Sequence, residues 1–281
     1  MIPMVSASIF GAVMYMYLGV TVIYLIHVTT RSRRMGLVAT WSLVGSLSLH
    51  TVGLAYRWLE THETGYGYIP LSNMYESLVF FAWTIALLYL ILELLYEQRA
   101  VGLFVTPFAF LFMALTSIIP GVNATINPLI PALKSPWLGI HVITCFLGYA
   151  AFAVSFWFSI LFLVQERREK GHSSRLRFLP ATNLLDEISY RSILIGFPML
   201  TLGIVTGAAW ANYAWGSYWS WDPKETWSLI TWFIYAAFLH ARLSRGWSGR
   251  RTALLSIIGF GAVVFTYFGV NYLISGLHSY A

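Results

Sequence analysis

Two histidines, His141 and His278, stand 137 residues apart, and between them five tryptophans crowd into 208–228, "AAWANYAWGSYWSWDPKETWS". Tetrahedral zinc wants three or four nitrogen or sulfur ligands. Two isolated imidazoles instead suit the opposed axial positions of a haem iron. The indoles of Trp210, Trp215, Trp219, Trp221 and Trp227 offer the matching surface, flat apolar area whose N–H groups can reach a polar edge. On that reading Trp215, Trp219, Trp221 and Tyr218 face a macrocycle. Gly216 lets the backbone come close, and Pro223 stops a helix at the end of the shelf.

Each residue also has a plainer reading. Tryptophans collect at membrane interfaces as ordinary belts. Asp222, Pro223 and Glu225 have the spacing of an N-cap, a first helical proline and an acidic third residue. Those carboxylates either cap the following helix or help position haem. His240, in "FIYAAFLHARLSR", lies inside an apolar run, where an ionisable group marks function unless it is neutral and bonded to a backbone carbonyl. His50 and His27 read as structural, and nothing is assigned to His62 and His172. The lone Cys145 excludes an intramolecular disulfide, a cysteine zinc site and an internal dithiol relay.

The elements that must hold these residues are membrane helices. The chain is 58% hydrophobic and 10% charged, with mean hydropathy +0.69, whereas an ordinary globular chain carries about 25% charged residues. Eight apolar stretches approach the ~20 residues a bilayer requires: 7–29, 37–56, 73–95, 101–119, 138–164, 191–209, 227–243 and 252–275. A barrel would show short alternating segments instead. The expectation is therefore an all-α polytopic bundle of about eight transmembrane helices forming one domain over 1–281. The first span lacks the charged leader of a secretory signal and is expected to be retained.

Charge orients the bundle. Loops 30–36, 96–100, 165–190 and 244–251, with the flanking Arg191 and Arg242, hold 14 of the 17 basic residues; the other side keeps Arg57, Lys134 and Lys224. Basic loops stay on the cytoplasmic side. Both termini and the 208–228 segment between spans six and seven are thus expected outside, level with His141 and His278. The net charge of +6 marks this orientation and is no nucleic-acid footprint.

The stretch "WGSYWSWDPKETW" resembles the tryptophan-rich WWD signature of haem-handling proteins used in cytochrome c maturation. Almost end to end, the chain is similar to the CcsA/ResC family of the System II pathway. The matching stretches include "PLSNMYESLVFFAW" at 70–83, "IYAAFLHAR" at 234–242 and the closing "NYLISGLHSYA". Eight spans favour that family over the shorter CcmC and the longer CcmF relatives.

The resemblance implies that His141 and His278 ligate haem b at the external WWD segment. It implies that His240 is one axial ligand of an intramembrane haem whose other ligand comes from a separate CcsB/ResB-like subunit. It further implies apocytochrome c as partner, thiol-reducing thioredoxin-like proteins, and holocytochrome c synthase activity of the complex. The membrane would be a bacterial plasma membrane or a thylakoid. Two other classes compete. One is a cytochrome b-like haem subunit of a quinone oxidoreductase, although no expected span carries histidines paired at 13–14 residues (an analogy at the level of fold). The other is a transporter or scaffold, which leaves the WWD stretch unexplained.

Overall fold

The computed structural model describes residues 4–171 and 178–274, which are helical with short connections and contain no strand. The expected membrane helices gather into two compact units, one ending at Ile130 and one beginning at Pro131.

The first unit holds α1 (Val5–Thr30), α2 (Arg33–Glu63), α3 (Met74–Tyr96) and α4 (Gly102–Ile118). Ser32 and Asn73 cap α2 and α3 by accepting backbone N–H groups of Met35 and Glu76, which satisfies donors a helix start otherwise leaves orphaned. Polar groups that face inward are matched in pairs. Arg57, 1% exposed, forks onto Glu76 at 3.0 and 3.1 Å and donates to the Ala124 carbonyl at 2.6 Å. Glu76 also accepts the N–H and hydroxyl of Ser72. The "PLSNMYES" stretch is therefore a helix cap fused to a buried ion pair. Farther along, the Glu93 carboxylate accepts hydroxyls of Tyr24, Tyr89 and Thr40, and Glu60 accepts the N–H and hydroxyl of Ser6. Removing one member of a buried ion pair typically costs about 3–5 kcal/mol, because the survivor is left charged and dry.

The second unit holds α5 (Pro136–Lys170), α6 (Thr182–Trp215), α7 (Pro223–Arg245) and α8 (Arg250–Val264). The last runs on through a π-helical turn, Phe265–Gly269, into α9 (Val270–Leu273). Helices α5 and α6 pack closely because α6 presents glycines. A Cβ on Gly196 would meet the Phe152 ring, and one on Gly203 would meet Cys145. Small residues at such crossings let backbones approach in a lipid solvent, where apolar burial gives no preference. A buried chain of hydroxyls adds polar contact: Ser159–Ser189 and Ser189–Ser155 at 2.8 Å, then Ser155–Ser256 at 2.9 Å, linking α5, α6 and α8. Asp186 of α6 accepts from Arg242 of α7 and from Gly249 and Thr252 at the start of α8.

Among the described residues, seven helices are long and apolar enough to cross a membrane. The remaining expected span is α7. It has 23 residues, about 34 Å at 1.5 Å per residue, but its tryptophans, threonine, His240 and Arg242 make it less apolar. Helices α5 and α6, at 35 and 34 residues, outrun the expected spans 138–164 and 191–209. A hydropathy window detects only the slice that hydrocarbon would cover, and the polar "QERREK" flank of α5 consists of good helix formers while "TNLLDEISYR" carries the polar start of α6.

Candidate functional site

The site is built where α5 begins and α6 ends. Ser135 caps α5 and Pro136 occupies its first turn, so His141 sits early on a well-started helix. Its ring leans on α6. His141 Nδ1 lies 2.7 Å from the Gly203 carbonyl, and a carbonyl only accepts, so Nδ1 carries the proton. That fixes the tautomer and leaves Nε2 with the lone pair, the arrangement a metal-ligating histidine uses. Gly207 makes room: a Cβ there would stand 2.7 Å from His141 Nδ1. Trp210 closes the other side, its ring nearly parallel to the imidazole at 5.8 Å and 21°. The Trp210 indole is 2% exposed, and its N–H donates to the Ala132 carbonyl at 2.8 Å. Trp210 thus braces the histidine. It is not part of an open shelf.

Beyond Trp210 the rings become accessible. Trp215, on the last turn of α6, meets Trp210 edge-on at 5.0 Å. Gly216 then ends α6 in the left-handed region at φ 76°, and its N–H donates to the Asn212 carbonyl. A Cβ on Gly216 would meet nothing within 4 Å, so what the structure requires of this glycine is its positive φ. The non-helical part of 208–228 is short, Gly216–Asp222; the flanks belong to α6 and α7. In that turn Tyr218 is 62% and Trp221 69% exposed. Trp219 and Trp221 stand edge to face at 5.7 Å. Trp221 holds φ 61°, a conformation side chains other than glycine adopt at a cost.

The expected cap is present. Asp222 accepts the Lys224 N–H at 2.9 Å, and its side chain and that of Glu225 form a reciprocal capping box on α7, with Pro223 in the first turn. Glu225 also accepts the Ser220 N–H at 2.8 Å. Asp222 and Glu225 are 6% and 9% exposed, so both carboxylates fix the turn that displays Tyr218 and Trp221. Lys224 reaches Asn271 of α9, Nζ to Oδ1, at 2.9 Å.

The other histidines separate cleanly. His240 is exposed on α7, with Ser244 Oγ 3.4 Å from its Nδ1. His278 and His172 lie outside the described residues. His50 is fully buried, its Nδ1 3.0 Å from the Tyr17 hydroxyl, a structural setting. His27 contacts the Ser32 carbonyl, and the exposed His62 that of Trp58. Helix α2 carries both His50 and His62, but one is enclosed and the other exposed, so they do not sandwich one ligand. Sequence reasoning missed Gly203 and Gly207, counted Trp210 among the shelf indoles and read Lys224 only as one of three basic residues on the outer side. The "GIVTG" spacing of Gly203 and Gly207 was the available signal.

A tautomer-fixed imidazole braced by Trp210, at the end of a helix that leads into an aromatic turn, fits a haem cargo. Comparison with known proteins bears on that fit. The family model for cytochrome c assembly proteins matches residues 71–278. The chain is 42% identical to the cytochrome c biogenesis protein CcsA of Microcystis aeruginosa, covering 87% of each chain. It is 43% identical to CcsA of Synechococcus elongatus, over 81% of this chain and 82% of that one. It is 40% identical to CcsA of Mesostigma viride, over 89% and 88%. Among solved structures, the cytochrome c haem lyase CcmF superposes with a TM-score of 0.70 at 17% identity. That match takes in 95% of this chain and 47% of CcmF, so the chain spans about half of that protein and shares its fold.

Proposed function

The chain belongs to the cytochrome c assembly protein family, and on that premise we propose that it is a CcsA-type subunit of a haem lyase, presenting haem b to apocytochrome c. The single observation that carries this reading is the His141–Gly203 bond beside the Trp210 brace, which prepares Nε2 as an axial ligand. His141 and His278 would ligate the iron, and Trp215, Trp219, Trp221 and Tyr218 would give the porphyrin an aromatic bed. Gly216 and Asp222 set the turn that carries those rings.

The reaction adds two cysteine S–H groups of apocytochrome c across the two haem vinyl C=C bonds. This chain needs no nucleophile for that step, and its Cys145 is buried. Its contribution is orientation: a cargo held still reacts far faster with a docked peptide than one tumbling free. The turn faces the extracytoplasmic side in this reading, of either a bacterial plasma membrane or a thylakoid.

His240 takes a separate role. Ionisable side chains within spans ordinarily face a bundle interior or cavity, yet His240 is exposed on α7. An exposed histidine of that kind calls for a neighbour, and a CcsB/ResB-like subunit supplying the second ligand of an intramembrane haem meets the need. Thiol-reducing thioredoxin-like proteins would keep the apocytochrome cysteines reduced.

The test is an absorption spectrum of the full chain co-purified with a CcsB-like partner. A bis-histidine, b-type spectrum that weakens in both His141→Ala and His278→Ala is expected. Full haem content and full cytochrome c maturation in both variants would overturn the reading.

A further inference from the structure

The first turn of α7 carries a cation, Lys224, that no carboxylate among the described residues pairs with directly. Lys224 is half-buried, and its Nζ donates to a neutral amide, Asn271 Oδ1, at 2.9 Å. Among the described residues it forms no ion pair with a carboxylate. The Asp222 charge acts on it through space, but that carboxylate is engaged in the capping box and accepts the backbone N–H of Lys224. Burial pushes the Lys224 ammonium down to about 8 against the opposing pull of Asp222, because a charge withdrawn from water is destabilised. Lysines are rarely drawn in from water unless paired.

The place is as telling as the charge. Lys224 lies two residues after Asp222, at the end of the turn that displays Tyr218 and Trp221. It lies within electrostatic range of Cys145, whose Sγ is 3.7 Å from His141 Nδ1. A haem carries two carboxylates on one edge, and an apolar shelf alone would leave both without partners in a partly dehydrated site. We propose that Lys224 is the propionate-binding residue of this site: its ammonium takes one haem carboxylate, turning the macrocycle so that the opposite, vinyl-bearing edge faces the incoming peptide. Asn271 holds the side chain in position until the carboxylate arrives. The inference rests on the haem-handling reading and adds the polarity of the bound ring to it.

The experiment titrates the full chain, purified with its partner, with haemin and with haemin dimethyl ester, following quenching of tryptophan fluorescence. The ester keeps iron and ring but lacks the negative carboxylates. Lys224→Gln should weaken haemin binding about ten- to hundred-fold, the range of one hydrogen bond to a charged group, and leave ester binding unchanged. Lys224→Arg should retain most haemin affinity. Asn271→Asp leaves the lysine in place but supplies a competing carboxylate, so it should weaken haemin selectively and serves if Lys224→Gln fails to fold. Equal losses for haemin and ester, or no loss for haemin, would overturn the proposal. His141→Ala is the separate control: it should weaken both ligands together, and if it weakened neither, the haem reading itself would fall while the lysine result stood apart.

Discussion

His141 donates from Nδ1 to the carbonyl of Gly203 at 2.7 Å, across the crossing of α5 and α6. One hydrogen bond thereby sets ring orientation and tautomer together, and both depend on how near the two backbones come. Gly207→Ala tests that dependence. The new methyl would fall 2.7 Å from Nδ1, so ring or helix must shift. Losing an outer partner of a metal-ligating histidine typically lowers affinity about 10–100-fold. Haem affinity should fall within that range for Gly207→Ala, and for Trp210→Ala through loss of the brace. Unchanged affinity and low-spin spectrum in Gly207→Ala would show that the crossing does not position the ligand.

Trp221 makes the opposite kind of prediction. It is 69% exposed and holds φ 61°, so it adds little packing and costs backbone energy. Strain of that sort persists where a surrounding structure or a function demands it. Trp221→Gly should raise thermal stability by about 1 kcal/mol, the scale of a relieved left-handed residue, while haem capture falls. Unfolding in detergent and a haem titration separate the two effects. A loss of stability would mean the indole is a packing residue after all.

Much of this was legible in the sequence because bilayers impose simple rules. Eight apolar stretches gave the helices, and Asp222, Pro223 and Glu225 announced the cap of α7 by spacing alone. Trp210 was not legible in the same way. It shares a sequence cluster with Trp215, Trp219 and Trp221, yet its depth on α6 turns it towards His141 and the Ala132 carbonyl. Composition reports that indoles are concentrated, and only the helix register says which of them face inward. The ends of α5 and α6 were missed for a related reason: hydropathy follows the lipid, and the helices continue past it.

The Arg57–Glu76 pair predicts a stability effect without a site effect. Glu76→Gln should leave Arg57 charged at 1% exposure and destabilise the first unit by about 3–5 kcal/mol. Arg57→Leu with Glu76→Leu should recover much of that loss, since two well-packed apolar residues often replace a buried pair at little cost. Thermal unfolding of the single and double variants is the measurement. Additive losses in the double variant would refute direct coupling.

Asp222 separates a cap from a ligand-positioning charge. As a cap it can be exchanged for another side-chain oxygen: Asp222→Ser should keep α7 and haem binding, and Asp222→Ala should cost about 1 kcal/mol. As a charge that positions haem it could not be exchanged for a neutral group. Haem affinity in Asp222→Ser decides between the two. A large loss of affinity with stability retained would move Asp222 from the scaffold of the turn into the haem contact.

His240 is the case where stability and function should part most completely. It is exposed on α7, and among the described residues its side chain has a hydrogen-bond contact with Ser244 Oγ, 3.4 Å from Nδ1. Exposed positions of this sort change stability by about 0.5 kcal/mol or less, so His240→Ala should melt with the parent chain. If the histidine completes a haem site with a second subunit, the same variant should lose the intramembrane haem from the co-purified complex, while the isolated chain shows no difference. Exogenous imidazole should then restore part of the spectrum, because it supplies the missing ligand without repairing any packing. Equal haem content in parent and variant complexes would instead leave His240 as an interfacial residue with no iron to hold.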